Sequence, residues 1–523
     1  MAAGDEAICV VIGRTRHQMV QIEIQEAAKQ GARLIELRLD YLAKAPDFSR
    51  LLVDKPCPMI ATVRRITDGG KWNSGEEARK TLLRQAIVAG FDWVDIETDV
   101  ADSIPRYKEV KRIISYHNTR EVPQNLKEIH EKMCGQDADV VKIAVRAHHQ
   151  GDNLRVLDLL KNPKKPTVAL CMGDAGTPSR LLGPLYGTPF TYGAFNKERG
   201  IAPGLLSFSD LKHVYHYEHI NPETKVYGVI GDPVAHSLSP HLHNAVFRRI
   251  GINAVYLPFR VPRSELKAFL ESFERIPVHG YSVTIPHKEA AAELVKRHDA
   301  TVEETHSANT LVRSPDGTFT AYNTDYQAVL ETLRAELPLT PDGDRPILGS
   351  KVVIVLGAGG MARTVAHALH REHAVVTIAS RTLERTQKLA AEVGCRQMEW
   401  EARHSSVADI VINCTPVGMH PNVDESPMHP SYFRTGLTVF DTVYTPETTL
   451  LIKEARHRGS HTITGVDLFV RQAALQFELF TGVQAPVDKM RLVIRRLLSP
   501  VTIKPTEEMP RGDVPSTGIR EAP

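Results

Sequence analysis

The chain has 523 residues, 42% of them hydrophobic and 24% charged, an ordinary balance for soluble globular domains. That length exceeds one core and predicts three or four domains at roughly 150 residues each. A formal net charge of +2 removes any broad electrostatic case for nucleic acid or an anionic membrane as partner.

No apolar run is long enough to span a bilayer, and no signal-type core precedes the first strand-like run. Cys9, Cys57, Cys134, Cys171, Cys395 and Cys414 are scattered with no C-x-x-C pair, as expected of thiols in a reducing compartment. The expected setting is cytoplasmic.

Over the first 200 residues, strand-like runs are predicted at 7–13, 34–39, 59–63, 93–97, 112–116, 140–145, 167–172 and 191–195. Amphipathic stretches such as 76–89 and 125–134 separate them. The runs are too continuously apolar for a half-exposed antiparallel sheet and are expected to be buried on both faces. Eight such units with helical connections make a (β/α)8 barrel.

A barrel's chemistry sits where its strands end. Those ends carry Glu36 and Arg38, Arg64, His117 and Lys142, with Arg180 in the loop after the seventh strand. Glu36 and Arg38 are two apart, so both side chains can point inward. Three arginines and a lysine at one mouth predict a small anionic ligand, such as a carboxylate. Lys142 interrupts an apolar run, where desolvation lowers an amine's pKa and lets it attack a ketone. The competing reading is a lysine that snorkels to solvent. His117 could be a hydrogen-bonded core histidine; its place one strand from Lys142 makes it a candidate base.

The motifs Glu36-Leu-Arg38, Thr62-Val-Arg64, Ser115-Tyr-His117 and Val141-Lys142-Ile143 resemble those of type I 3-dehydroquinate dehydratase, as do Ser179-Arg180 and Ala202-Pro203-Gly204. The resemblance covers roughly residues 6–212. It implies an imine between Lys142 and the ketone of 3-dehydroquinate, with His117 moving protons. Glu36, Arg38, Arg64, Asp68 and Arg180 would bind substrate. Asp68 stands where that family usually has Glu, and Ile201 and Leu205 stand where its lid offers Ser and Gln.

After Asp210 the pattern loosens into a Tyr/His-rich stretch, 213–223, which sets the first unit at 1–220. A second α/β unit is predicted at 225–337, followed by a Pro/Asp/Gly linker at 338–346. A third unit spans 346–465. Helices within 466–498 are expected to fold back on the second unit, and 499–523 to be a disordered tail.

In the third unit, Gly357-Ala358-Gly359-Gly360 follows a strand and opens a helix, the setting of a dinucleotide loop. The next strand ends in Ser380-Arg381-Thr382, with Arg385 nearby and no carboxylate for a ribose hydroxyl. That pattern suits the extra phosphate of NADP over NAD.

Gly280-Tyr-Ser-Val-Thr284-Ile-Pro-His-Lys288, Ala308-Asn309-Thr310, Asn323-Thr-Asp325, Asn413-Cys-Thr415 and Asp441-Thr-Val-Tyr444 resemble shikimate dehydrogenase motifs, from about 226 to 498. That resemblance implies a two-domain shikimate dehydrogenase with a Rossmann NADP(H)-binding domain. Lys288 and Asp325 would be its catalytic pair, and a lysine beside a carboxylate can relay a proton. Ser237, Ser239, Thr284, Asn309, Tyr444 and Gln472 would bind substrate. Thr415 and Gly465 would join the cofactor site. The order of the two halves is similar to the plant bifunctional enzymes, whose setting after processing is the plastid stroma.

The implied ligands are 3-dehydroquinate, 3-dehydroshikimate and shikimate, with NADP(H) as cofactor and no metal. His236, His241 and His243 cluster, but without a carboxylate or cysteine partner they are not expected to hold one. The Arg-rich segment 491–496 is read as a helix face. Rival readings are a catabolic quinate/shikimate dehydrogenase, an imine-forming aldolase barrel, and a ligand-sensing regulator.

Overall fold

The computed structural model describes residues 7–107, 109–235, 237–337 and 348–498. The expected linker at 338–346, the expected tail at 499–523 and His236 lie outside the described residues.

All eight expected strands form one parallel sheet: β1 (Ile8–Ile12), β2 (Leu34–Arg38), β3 (Met59–Thr62), β4 (Trp93–Glu97), β5 (Lys111–Asn118), β6 (Val140–Arg146), β7 (Thr167–Met172) and β8 (Thr191–Ala194). Their order is β7-β6-β5-β4-β3-β2-β1-β8. The sheet curls into a nearly closed barrel whose ladder is open between β7 and β8. There Thr188 Oγ1 donates to the Thr167 carbonyl at 3.0 Å. Burial on both faces explains the continuous apolar runs: six of the eight strands are buried at every residue.

The second sheet contains β9 (Lys225–Gly231), β10 (Ala254–Arg260), β11 (Val278–Val283), β12 (Arg297–His298), β13 (Thr310–Arg313) and β14 (Phe319–Tyr322). It runs in the order β10-β9-β11-β13-β14-β12, with β13 antiparallel to both neighbours. The third contains β15 (Val352–Leu356), β16 (Val375–Ser380), β17 (Arg396–Glu399), β18 (Ile410–Asn413), β19 (Thr438–Asp441) and β20 (His461–Ile463). It is wholly parallel, in the order β17-β16-β15-β18-β19-β20. Counted from β15, that is 3-2-1-4-5-6, the doubly wound dinucleotide-binding order, with its switch point between β15 and β18.

The helices Gly465–Thr481 and Val487–Leu498 leave the third sheet and pack in one apolar cluster with β9 and β10 residues, including Tyr227 and Tyr256. Tyr227 donates its hydroxyl to the Phe480 carbonyl at 2.8 Å. A separate apolar cluster runs unbroken from Ala7 in the barrel to Ala321 in the second sheet. Gln150, itself buried, donates across this junction to the Arg260 carbonyl at 2.8 Å. No helix among the described residues is long and apolar enough to cross a membrane.

Candidate active sites

At the carboxyl ends of the barrel strands lies a cavity of about 110 Å³. Glu36, Arg38, Arg64, Asp68, His117, Lys142 and Arg180 all line it, so every sequence-predicted barrel residue converges there.

The charges within it are mostly compensated. Lys142 Nζ donates to Asp95 Oδ2 at 2.9 Å and lies 3.4 Å from Glu36 Oε1, which Thr62 also engages at 2.7 Å. The lone amine expected at position 142 is therefore corrected to an ion-paired one. Arg64 is held by Asp95 Oδ1 and Glu97 Oε1, both at 2.7 Å. Arg38 grips Asp40 through two hydrogen bonds, and Asp68 is tied to Arg65 at 2.5 Å. The expected set of three ligand-seeking arginines reduces to one. Arg180 is 3% exposed, has no ion pair among the described residues, and leaves its Nε unpartnered. Burial alone lowers its guanidinium to about 10.

His117 Nδ1 is also without a hydrogen-bond partner among the described residues. Burial, then the positive charges of Arg64 and Lys142, hold its imidazolium well below the usual histidine range. Both causes favour the uncharged ring, the form a base requires. Burial would raise the Asp95 carboxyl, but Arg64 and Lys142 outweigh that and hold it well below the usual carboxylate range.

Sequence reasoning missed Asp95, Glu97, Ser115 and Tyr192. The signal for the two carboxylates is the alternation Trp93-Val-Asp95-Ile-Glu97, which puts both acids on the face shared with Trp93, inside the barrel. Over the mouth, Gly173 N donates to the Pro203 carbonyl at 3.0 Å. Gly204 has φ +68°, and a Cβ there would lie 2.4 Å from the Gly173 oxygen, so only glycine fits. Ile201 and Leu205 face the cavity as apolar wall.

In the second half, Lys288 Nζ donates to Asp325 Oδ2 at 2.6 Å, so the expected pair is in contact. Asn309 cross-braces Thr324: its Nδ2 donates to Oγ1 at 2.9 Å and its Oδ1 accepts from the Thr324 amide at 2.9 Å. A buried chain continues from Gln476, which donates to the Asn309 carbonyl, through Ser282 to the Tyr256 hydroxyl. Tyr256 also shares a hydrogen bond with Ser239, whose amide reaches Ser237 Oγ at 3.3 Å. Tyr444 stacks on Phe469 with ring centroids 4.3 Å apart, and burial pushes its hydroxyl up to about 12. Gln472 donates to the Phe469 carbonyl at 3.0 Å, on that same helix. Thr284 precedes the turn that carries Lys288, and its carbonyl accepts from His287. Gln476 is the residue the sequence did not reveal; its only trace is one helical turn after Gln472.

The glycine loop sits at the switch point of the third sheet. Gly357 has φ +118°, and a Cβ on it would lie 3.1 Å from the Cys414 carbonyl. Gly359 has open space where a Cβ would point, and Gly360 starts the helix Gly360–Arg371. Unpaired amides at a helix start favour a phosphate group. Ser380 Oγ accepts from the Thr382 amide at 3.3 Å, while Arg381 and Arg385 are exposed with no ion pair among the described residues. Thr415 caps the turn after β18 through Asn413. A Cβ on Gly465 would lie 2.4 Å from the Val443 oxygen, which makes it a packing glycine at the start of its helix. Among the described residues no three His, Cys, Asp or Glu side chains form a group that could hold a metal. His243 is instead stacked on Tyr256, with centroids 4.5 Å apart.

Known families match in the same order along the chain. Type I 3-dehydroquinase matches residues 8–222, and the shikimate dehydrogenase substrate binding domain matches 229–311. Shikimate / quinate 5-dehydrogenase matches 345–434, and the shikimate 5'-dehydrogenase C-terminal domain matches 465–495. The chain is 35% identical over 502 residues to the chloroplastic bifunctional 3-dehydroquinate dehydratase/shikimate dehydrogenase of Arabidopsis thaliana, covering 92% of this chain and 83% of that protein. The chain belongs to the bifunctional 3-dehydroquinate dehydratase/shikimate dehydrogenase family. It joins a lyase barrel to an oxidoreductase, both of the shikimate pathway. Its second half is 40% identical over 287 residues to the NADP(+) shikimate dehydrogenase of Methanopyrus kandleri, covering 52% of this chain and 95% of that one. A crystal structure of a shikimate dehydrogenase in complex with NADP+ superposes with a TM-score of 0.50 at 33% identity, covering 54% of this chain and 98% of that chain.

Proposed function

We propose that residues 1–220 dehydrate 3-dehydroquinate through an imine on Lys142, and that the remaining units reduce the product to shikimate with NADPH. The observation that carries the first step is that Lys142 Nζ and His117, whose Nδ1 has no partner among the described residues, share one cavity in which Arg180 is the cation with no ion pair among the described residues. Arg180 takes the substrate carboxylate. Lys142 passes a proton to its neighbour Glu36, its freed nitrogen adds to the ring ketone, and the ketone oxygen leaves as water with that proton and one from the nitrogen, forming a C=N bond that carries a positive charge. His117 removes the proton from the adjacent carbon, and the electron pair flows to nitrogen. The resulting enamine expels the β-hydroxyl, which leaves as water with a proton returned by His117. Hydrolysis of the new imine releases product and restores Lys142. Asp95 and Glu36 balance the nitrogen's charge, while Arg38, Arg64 and Asp68 shape the rim.

Reduction takes place where residues 225–337, completed by 466–498, meet residues 346–465. Gly357, Ala358, Gly359 and Gly360 would hold the cofactor's pyrophosphate; Ser380, Arg381, Thr382 and Arg385 its extra phosphate; Thr415 and Gly465 border the nicotinamide end. The cofactor supplies the hydride when bound. Lys288 gives a proton to the carbonyl oxygen as charge gathers there, and Asp325 holds that ammonium in place. Ser237, Ser239, Thr284, Asn309, Tyr444 and Gln472 orient the carboxylate and hydroxyls of the ring.

The test is incubation with 3-dehydroquinate and NADPH, with products identified by mass spectrometry. Shikimate is expected. Quinate would favour the catabolic reading, and no product would favour a sensor.

A further inference from the structure

Three buried polar groups in the barrel cavity have neither a hydrogen-bond nor an ion-pair partner among the described residues: His117 Nδ1, Arg180 Nε and the Tyr192 hydroxyl. The first two have roles in the mechanism above; the third has none. Tyr192 lies on β8, is 5% exposed, and packs edge-on against Phe190 with centroids 5.5 Å apart, which fixes its ring. Lys142 Nζ lies over that ring, 3.8 Å from its centroid. The facing wall, Ile201, Ala202, Pro203 and Leu205, offers no side-chain donor or acceptor.

We infer that Tyr192 is a further catalytic residue of the dehydratase. Its ring face carries the cationic nitrogen at Lys142, and its hydroxyl bonds a ring hydroxyl of the substrate. The inference rests on the imine reading. An ammonium has three N–H donors, whereas a protonated imine keeps one. As the imine forms, Lys142 must give up part of its bonding to Asp95 and Glu36 while its nitrogen stays positive. A π face needs no donor, so it keeps holding that charge when the carboxylate bonds thin out, and most strongly where water is excluded. A phenol O–H buried without a partner is costly, and a polyhydroxylated ligand is the group that relieves it.

The full-length protein separates the two contributions. Y192F removes only the hydroxyl and is expected to raise KM for 3-dehydroquinate about tenfold while leaving kcat nearly unchanged. Y192L removes the ring and is expected to lower kcat roughly thirtyfold and reduce the borohydride-trapped adduct on Lys142. Reduction of 3-dehydroshikimate by each variant reports whether the fold survived; if Y192L fails to fold, the KM and kcat split in Y192F decides. Wild-type KM in Y192F together with wild-type kcat and trapping in Y192L overturns the inference. Absence of a trapped adduct in the wild-type protein would instead sink the imine reading and, with it, the role given to the ring.

Discussion

Gly360 and Lys288 come together across the cleft between the second and third sheets. A Cβ on Gly360 would lie 3.3 Å from Lys288 Cβ and 3.2 Å from Ser307 Oγ. The glycine that opens the helix Gly360–Arg371 is thus also the residue that lets that helix approach the lysine paired with Asp325. Gly360 joins the loop proposed to hold the pyrophosphate to the lysine proposed to give the proton.

Gly360→Ala therefore has to push helix and lysine apart by a few tenths of an ångström. We expect reduction of 3-dehydroshikimate to slow about tenfold, because displacement near reacting groups costs rate steeply. Dehydration, measured on the same sample, stays at the wild-type level.

Lys142→Ala removes the proposed nucleophile and leaves Asp95 and Glu36 short of a buried cation. Dehydration is expected to fall at least about a thousandfold, with reduction of added 3-dehydroshikimate intact. Parallel loss of both activities would contradict two separate sites.

Arg180→Gln deletes the cavity's one positive charge with no ion pair among the described residues. KM for 3-dehydroquinate is expected to rise roughly a hundredfold, with a smaller fall in kcat, since charge-assisted bidentate contacts are the strong ones. Arg38→Gln should act differently, because Arg38 is already closed by Asp40. It costs stability before it costs affinity, which thermal denaturation beside the kinetics will separate.

His243 is wholly buried, and neither ring nitrogen has a hydrogen-bond partner among the described residues. Burial pushes its imidazolium down to about 3. The unfolded ring takes up a proton below about 6.5 while the folded one stays neutral, so stability falls as pH drops through that window, by about 1.4 kcal/mol per pH unit. His117 contributes with the same sign. Denaturant melts at pH 7 and pH 5 should show a smaller loss for His243→Leu than for wild type.

Arg381→Ala and Arg385→Ala remove two exposed cations beside the end of β16 and are expected to raise KM for NADPH about tenfold each while leaving KM for NADH unchanged. Steady-state kinetics with both cofactors checks this. An equal rise for both would place these arginines away from the extra phosphate.

Much of this was legible from residues because each signal was local. The continuous apolar runs gave all eight barrel units, and the strand ends gave Glu36, Arg38, Arg64, His117 and Lys142. What stayed hidden depends on partners distant in sequence. Lys142 looks like a lone amine until Asp95, 47 positions earlier, is placed beside it. Arg64 looks free until Asp95 and Glu97 close on it. Gln476 meets Asn309 across 167 positions, and no local pattern announces that. The open ladder between β7 and β8 is likewise invisible, since each strand alone reads as a complete barrel member.

The apolar cluster that runs from Ala7 to Ala321 gives the fusion a history written in its packing. A linker would let either half be lost, duplicated or swapped with little penalty. Here the barrel wall and the second sheet have surrendered surface to each other, and the Gln150 side chain donates to the Arg260 backbone carbonyl across the joint. Each half covers apolar surface of the other, so cutting the two apart would expose that surface to water.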